Sequence, residues 1–498
     1  MVNKTLHALT ILLFSGFIVF LLFASSKSGL NFDSSYNLLS YQSLFNGTGF
    51  MYEYDGKKIP FDPVISTGPE LYLPAFFIWK LIGHPSYHAA VFVTVAYFIA
   101  FMAFFIFGVF KDSLQRFIAL FIFLFWFFTN GKIFGIGSNL FVDPLGEVLS
   151  TTLIFAGVYL LYRRHVLSGF LLLGFALDTK TNIIIALIPT VAILVYRQFL
   201  LPEWKKKDYP ALIKVGIKVA LLSSLVLLPY LTYSKIVPSA VLNDQEKNVL
   251  QAARIDRNAF LKSHGFGHLL DLYKNPTTNG ICAYIEKLKK KMVRLQSFFC
   301  GSYSLLALFG ISFAFLLLYA RRHFSFYLFT FSAFNILWWL FISRTTWYRY
   351  FFLPEFMFVL GLSTFLPSLM AKKKRLVFVL ILIVFAGFSL PRFSLSSIKQ
   401  SLSGAEKEHL MMMKERIEKI NENKIFTFGW LQCPQLMFLT NKRFQDFFNK
   451  KKLEDAKKDG AYFLTTYENT IIQDDMDTIT KGFDLIAVYG YNKLYRIK

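Results

Sequence analysis

The stretch LHALTILLFSGFIVFLLFA, residues 6–24, followed by SSKSGLNFDSSY, residues 25–36, decides how the rest of the chain is read. The first part carries no formal charge and has the length of a helix that crosses bilayer hydrocarbon, about 20 residues. The second part turns polar and brings a carboxylate, Asp33, close beyond the end of that helix. The stretch sits where a secretory signal would. It has no small-residue cleavage site and many further apolar runs follow, so it reads as a signal anchor.

Working outward, ten more apolar runs follow. They are Ala89–Phe110, Phe117–Thr129, Gly146–Tyr162, Ser168–Leu177, Ile183–Tyr196, Val215–Ser234, Tyr303–Tyr319, Phe324–Ile342, Phe351–Leu369 and Leu376–Leu390. The expectation is an all-α polytopic membrane domain of about 11 transmembrane helices. Ser168–Leu177 and Ile183–Tyr196 are short, and a paired re-entrant element is the alternative for them. Glu70–Ile82 is apolar but too short to span, and reads as an interfacial helix. The composition agrees: 55% of the 498 residues are apolar, 18% are aromatic and only 17% are charged. That excludes a disordered chain, a collagen and a small disulfide scaffold.

The net charge of +23 resembles a nucleic-acid signal until the charges are placed. With the N-terminus inside and the spans alternating, the inner loops hold sixteen Lys and Arg. Clusters lie at Lys205-Lys206-Lys207 and Lys372-Lys373-Lys374-Arg375. The short outer loops hold only Lys132, Lys180, Arg344 and Arg349. This is the positive-inside bias of a membrane protein, so nucleic acid drops out as a partner. It places the N-terminus inside and, with an odd number of spans, the C-terminus outside. Residues 1–391 form the membrane domain, with large outer loops at 25–88 and 235–301. Residues 392–498 form a small extracytoplasmic α/β domain. In that tail Leu410, Met413, Ile417 and Ile420 repeat on one helix face, and Ser403-Gly404-Ala405-Glu406 fits a capping box. Ile425–Phe428 and Tyr462–Thr466 read as strands, and Leu485–Tyr489 with Lys493–Ile497 as a hairpin.

Polar residues near a membrane face need a reason. Four groups stand out on the outer side. Asp33 fits an acid that takes a proton from an incoming hydroxyl, and equally a helix cap. The turn-rich stretch Asp62-Pro63 to Pro69-Glu70 either shapes a cleft or simply opens a helix. Asp143 and Glu147 face Asp178 and Lys180 across the sequence. They read as a buried ion pair or as a cation aimed at a lipid phosphate. Arg344, Tyr348 and Arg349 form either a phosphate clamp or an interfacial aromatic belt with snorkelling arginines.

Three cysteines show no C-x-x-C spacing. The outer Cys282 and Cys300 leave a pairing open, and Cys433 has no second cysteine in the tail. There is no P-loop, dinucleotide fingerprint or His/Cys metal cluster. Any reaction therefore draws its energy from the substrate.

In order and sidedness these motifs resemble the integral-membrane glycosyltransferases of the GT-C fold, nearest the bacterial family 39 type. That group holds protein mannosyltransferases and lipid A aminoarabinose transferases. The resemblance rests on five features. They are Asp33 after the first span, Thr67-Gly68-Pro69-Glu70-Leu71-Tyr72, Gly146-Glu147, the run from Ser168 to Lys180, and Arg349-Tyr350-Phe351-Phe352-Leu353-Pro354. The family often has Asp-Glu at the first site, whereas here Asp33 is followed by Ser34. The resemblance implies a polyprenyl-phosphate sugar as donor, and a membrane lipid, glycan or protein as acceptor at the outer face. It implies inverting displacement with Asp33 as the base, and Lys180, Arg344 and Arg349 on the donor phosphate. Asp62, Glu70, Asp143, Glu147, Asp178 and Tyr348 then support the site or the acceptor. The family also allows a divalent metal, for which the sequence holds no ligand cluster. Two rival readings come from other classes: a transporter or flippase of lipid-linked sugar, and a non-catalytic membrane assembly protein.

Overall fold

The computed structural model describes residues 2–30, 32–48, 51–54, 57–60, 68–135, 138–226, 228, 278–299, 301–343, 348–371, 374–421, 424–428, 432–446, 462–465, 480–490 and 492–497. The opening stretch forms helix α1 (Val2–Lys27), whose outward residues Leu12, Val19 and Phe23 are exposed as a lipid-facing helix requires. Next come α2 (Phe32–Phe45), the β1–β2 hairpin (Met51–Tyr54, Lys57–Pro60), α3 (Pro69–Ile82), α4 (Tyr87–Ala103) and α5 (Ser113–Thr129). A two-residue ladder, β3 (Phe134–Gly135) with β4 (Ser138–Asn139), leads into α6 (Glu147–Tyr162), α7 (Val166–Thr179) and α8 (Ile184–Val195).

Short α9 (Leu201–Lys206) and α10 (Tyr209–Ser223) follow. After residue 277 come α11 (Thr278–Phe298), α12 (Tyr303–Tyr319), α13 (Ser325–Leu337), α14 (Tyr348–Ala371) and α15 (Arg375–Ser389).

Ten of the eleven apolar runs fall on helices, and Val215–Ser234 does so as far as residue 226, beyond which it lies mostly outside the described residues. Among the described residues, six helical stretches are long and apolar enough to cross a membrane: Asn3–Lys27, Tyr87–Val109, Ile184–Lys206, Ser325–Ile342, Tyr348–Ala371 and Arg375–Arg392. A seventh is counted if the bent pair Gly280–Phe298 and Tyr303–Tyr319 is one span. The helices Ser113–Thr129, Glu147–Tyr162 and Val166–Thr179 are apolar but shorter. Burial supplies a physical reason for α6, which buries eleven of its sixteen residues inside the bundle and need not match the full hydrocarbon thickness. The chain is a multi-pass membrane protein. Ile184–Lys206, which contains the run Ile183–Tyr196 from Ile184 on, is 23 residues long, whereas Val166–Thr179, which contains Ser168–Leu177, is short. The α3 segment stays short and exposes Leu73, Phe77 and Leu81 along one side, as expected of a helix lying at an interface.

Aromatic rings fill the core. Phe123, Trp126, Phe127, Phe141 and Phe356 are wholly or almost wholly buried and pack edge-on or stacked, with Trp126 and Phe356 nearly parallel at 5.7 Å. Such ring pairs add to the area term wherever their edges meet faces.

Beyond the membrane helices, α16 (Leu395–Ser403) and α17 (Ala405–Glu418) precede a five-stranded mixed sheet of order β6-β5-β7-β9-β8. Its strands are β5 (Lys424–Phe428), β6 (Arg443–Asp446), β7 (Tyr462–Thr465), β8 (Asp484–Tyr489) and β9 (Asn492–Arg496), with α18 (Cys433–Thr440) between β5 and β6. Strands β5, β6 and β7 run parallel, and β9 lies antiparallel to both β7 and β8. The face of α17 read from the sequence is buried at Leu410, Met413 and Ile417. The capping box is not formed. Ser403 ends α16, and Gly404, at φ +71, turns the chain into α17. Cys282 is free and exposed near the start of α11, while position 300 lies beyond the end of that continuous helix and outside the described residues.

Candidate active site

The local chemistry begins with α6 and α7. Gly157 and Gly169 stand opposite each other, and a Cβ on either would come within 3.1 Å of the other's carbonyl oxygen. Two glycines therefore let the helix backbones touch. The short turn at 163–165 makes the pair antiparallel, so the start of α6 meets the end of α7. That juxtaposition brings Glu147 to Lys180, with Nζ 3.4 Å from Oε1. Glu147 is almost wholly buried while Lys180 stays partly exposed. Gly146, at φ +84, makes the turn into α6. Among the described residues neither carboxylate oxygen of Glu147 has a hydrogen-bond donor, and the ammonium is its ion-pair partner.

Asp33 lies in the first turn of α2, one residue past its start, and forms an ion pair with Arg349 from the first turn of α14. The Asp33 side chain is 38% exposed and that of Arg349 17%. The guanidinium also sits over the Tyr350 ring, 5.1 Å from its centroid. Arg349 feels the charge of Glu147 as well as that of Asp33. Tyr72 is likewise within the field of both carboxylates. The two ion pairs thus form one electrostatic unit.

The loop before α6 locks this unit to α2 and α3. The Pro144 carbonyl accepts from the Tyr72 hydroxyl at 2.5 Å and from the Ser34 hydroxyl at 3.2 Å. Asp143 is buried and accepts from Ser28 at 3.3 Å. On the far side Gly68 donates its N–H to the Thr179 carbonyl at 3.2 Å, and a Cβ at Gly68 would overlap the Asp178 carbonyl. The Thr179 hydroxyl donates to Glu70 at 3.3 Å. Burial, and then the neighbouring charge of Asp178, push the Glu70 carboxyl up to about 9. An acid so placed holds its proton at neutral pH.

The candidate residues therefore divide. Asp33, Arg349, Glu147 and Lys180 come together, with Glu70 and Asp178 adjoining them and Asp143 just behind. Tyr348 does not face this group. Its hydroxyl donates to Glu355 at 2.7 Å. Asp62 and Arg344 lie outside the described residues.

A second polar centre was missed by sequence reasoning. Glu355 on α14 forms a buried ion pair with Arg392, at the junction between α15 and the tail. It also accepts from Trp126 at 3.0 Å, from Tyr348, and from Asn130 at 3.4 Å. Arg392 donates in addition to the Asn130 side-chain oxygen at 2.8 Å. The signal was available: Glu355 is a carboxylate within a predicted span, which is costly unless it is paired.

Among the described residues no group of three His, Cys, Asp or Glu side chains is arranged to hold a metal. Asp33 and Glu147 face Arg349 and Lys180, and Glu70 faces Asp178, so the described acids do not converge on one ion position and no step is routed through a metal.

A multi-pass helical bundle with acids and cations gathered at the ends of its helices, followed by a mixed-sheet tail, is the architecture seen here. The same fold occurs in solved GT-C membrane glycosyltransferases. The chain superposes on ArnT from Cupriavidus metallidurans bound to undecaprenyl phosphate with a TM-score of 0.57 and 11% identity, over 98% of both chains. The apo state of that protein gives 0.56 at 10% identity, with the same coverage. An Archaeoglobus fulgidus oligosaccharyltransferase in complex with zinc and sulfate gives 0.51 at 13% identity, over 96% of this chain and 73% of that one. No protein-family model and no curated protein matches the sequence. The chain has the GT-C fold.

Proposed function

We propose that this protein transfers a sugar from a polyprenyl-phosphate donor to a hydroxyl of a lipid, glycan or protein at the outer membrane face. One observation carries the reading: Asp33 and Arg349 pair beside Glu147 and Lys180, at helix ends, within a GT-C fold. The charge bias of the loops supports an outward-facing site, with a cytoplasmic N-terminus and an extracytoplasmic α/β tail.

The donor's phosphodiester competes with Asp33 for Arg349, and the guanidinium suits a phosphate bidentately. Asp33 loses its partner and becomes free to accept a proton. The acceptor oxygen attacks the anomeric carbon from the face opposite the phosphate. Its proton passes to Asp33 as the new C–O bond forms. The old bond breaks with its electron pair on the phosphate oxygen, leaving polyprenyl phosphate and an inverted anomeric centre. Arg349 and Lys180 stabilise the added negative charge on that leaving group. Glu147 holds Lys180 in place.

An apolar cavity of about 380 Å³ lies between α7, α8 and α10, lined by Phe170, Leu173, Leu177, Ile184, Leu187 and Val219 among others. Leu177 and Ile184 flank Lys180 in sequence, so a prenyl chain in this cavity has its phosphate end near the Lys180 ammonium.

The test is transfer from a polyprenyl-phosphate sugar by reconstituted protein. Asp33→Asn is expected to lower the rate by about 10²–10⁴-fold with an unchanged melting midpoint. Full transfer by a folded Asp33→Asn protein would remove Asp33 as the base. Movement of intact donor across the bilayer without transfer would favour a flippase.

A further inference from the structure

Helix α11 carries five basic residues, Lys287, Lys289, Lys290, Lys291 and Arg294, against one acid, Glu286. The positive-inside bias does not account for them, because the loop charges place this helix on the outer side. Their arrangement does. Lys291 is buried and donates to the carbonyls of Trp339 at 2.5 Å, of Leu340 at 3.3 Å, and of Ser343. The Tyr284 hydroxyl donates to the Phe341 carbonyl at 2.8 Å. With Leu295 and Phe298 buried beside them, these residues fix one face of α11 to the end of the α13 helix.

Fixing that face determines the rest. At 100° per residue, Ile281, Ile285 and Met292 fall on a single stripe next to the docked face, and all three are exposed. Lys290, which pairs with Glu286 at 4.0 Å, and Arg294 lie on the opposite side and are exposed, as are Lys289 at the edge of the apolar stripe and Val293 between Lys289 and Lys290. The axis of α11 turns by 90° into α12. Helix α12 is apolar and exposes Ile311, Phe315 and Leu318 along its length, as a lipid-facing helix does. A helix at right angles to it lies in the plane of the membrane.

We infer that α11 is an interfacial anchor whose apolar stripe enters the acyl layer and whose basic side gathers anionic phospholipid headgroups from the outer leaflet. Apolar and basic residues on opposite sides of a helix in the interface plane are what such binding requires. Each basic residue near an anionic surface is worth about a fivefold gain in association. This inference is independent of the transfer reaction.

The test uses the full chain in nanodiscs, with Met292→Cys carrying a bimane and the other cysteines changed to serine. Brominated phosphatidylcholine is expected to quench the label. Brominated phosphatidylglycerol is expected to do so at about a fivefold lower mole fraction. Lys289→Gln, Lys290→Gln and Arg294→Gln together should bring the two lipids to parity while quenching persists. Lys290→Arg with Arg294→Lys should keep the preference, which separates lost charge from lost structure. A label that neither lipid quenches places α11 in water and overturns the inference. So does a phosphatidylglycerol preference that survives the triple change.

Discussion

Glu147 and Glu355 are both carboxylates within a helix bundle, each less than 5% exposed, yet the fold treats them in opposite ways. Glu355 receives Trp126, Asn130, Tyr348 and Arg392. Among the described residues Glu147 has one ion-pair partner, the Lys180 ammonium at 3.4 Å, and no hydrogen-bond donor on either oxygen, while Arg349 acts on it through its field. A buried carboxylate that accepts from several donors makes a rigid joint. Here it ties α5, α14 and the entry to the tail into one piece. A carboxylate that depends on one partly exposed cation leaves that cation accessible to a ligand. The same contrast holds for the arginines. Arg392 is enclosed, whereas Arg349 meets Asp33 at a partly exposed edge. The contrast is between a carboxylate held by several donors on three segments and one held by a single partly exposed ammonium.

Four changes break or sharpen that comparison. The largest effect on stability belongs to Arg392→Ala, which strands Glu355 and should destabilise the protein by about 3–5 kcal/mol. A clear drop in the melting midpoint of detergent-solubilised protein checks this, and an unchanged midpoint would contradict the structural role. Arg349→Lys keeps the charge but loses the planar fork. Transfer should fall by about 10²-fold with a nearly unchanged midpoint, and equal losses of both would erase the distinction between the centres.

Glu70 sharpens it through pH. Its folded-state value of about 9 lies above the ordinary 4.5, so the folded protein holds a proton that the unfolded chain has released. Its contribution is therefore full below about 4.5 and is lost as pH rises towards about 9. Melting midpoints across that range should decline more steeply for the wild type than for Glu70→Gln, and parallel curves would refute the assignment. Tyr72→Phe should have the smallest effect, about 0.5–1.5 kcal/mol, because the Pro144 carbonyl keeps its bond from Ser34. A thermal shift as large as that of Arg392→Ala would show that the loop, rather than the pair on α14, is the stiffer joint.

Much of this was legible before any coordinates. Residues 6–24 announce a membrane helix by length and lack of charge, and the other apolar runs follow by the same rule, because transfer into hydrocarbon is a local property of a segment. Asp33, Glu70, Glu147, Lys180 and Arg349 drew notice as ionisable groups beside apolar runs. Glu355 obeys the same rule but was hidden inside the run Phe351–Leu369, and Arg392 was assigned to a boundary rather than a core. Strand β6 escaped because four residues pairing in parallel with β5 leave no hairpin signature. Apolarity marks burial in protein as readily as burial in lipid, so a short helix such as α6, with eleven of its sixteen residues buried, reads in sequence like a span.

The sequence by itself determined a membrane bundle, its charge asymmetry and the residues that charge makes conspicuous, since hydropathy and charge are summed over neighbours in the chain. Only the tertiary structure decided that Asp33 meets Arg349, that Glu147 meets Lys180, and that Glu355 gathers several donors while Glu147 meets one ammonium. Those outcomes depend on helix ends far apart in sequence arriving at one place. At Gly157 and Gly169 that arrival rests on two missing side chains, whose effect appears only when the second helix is present.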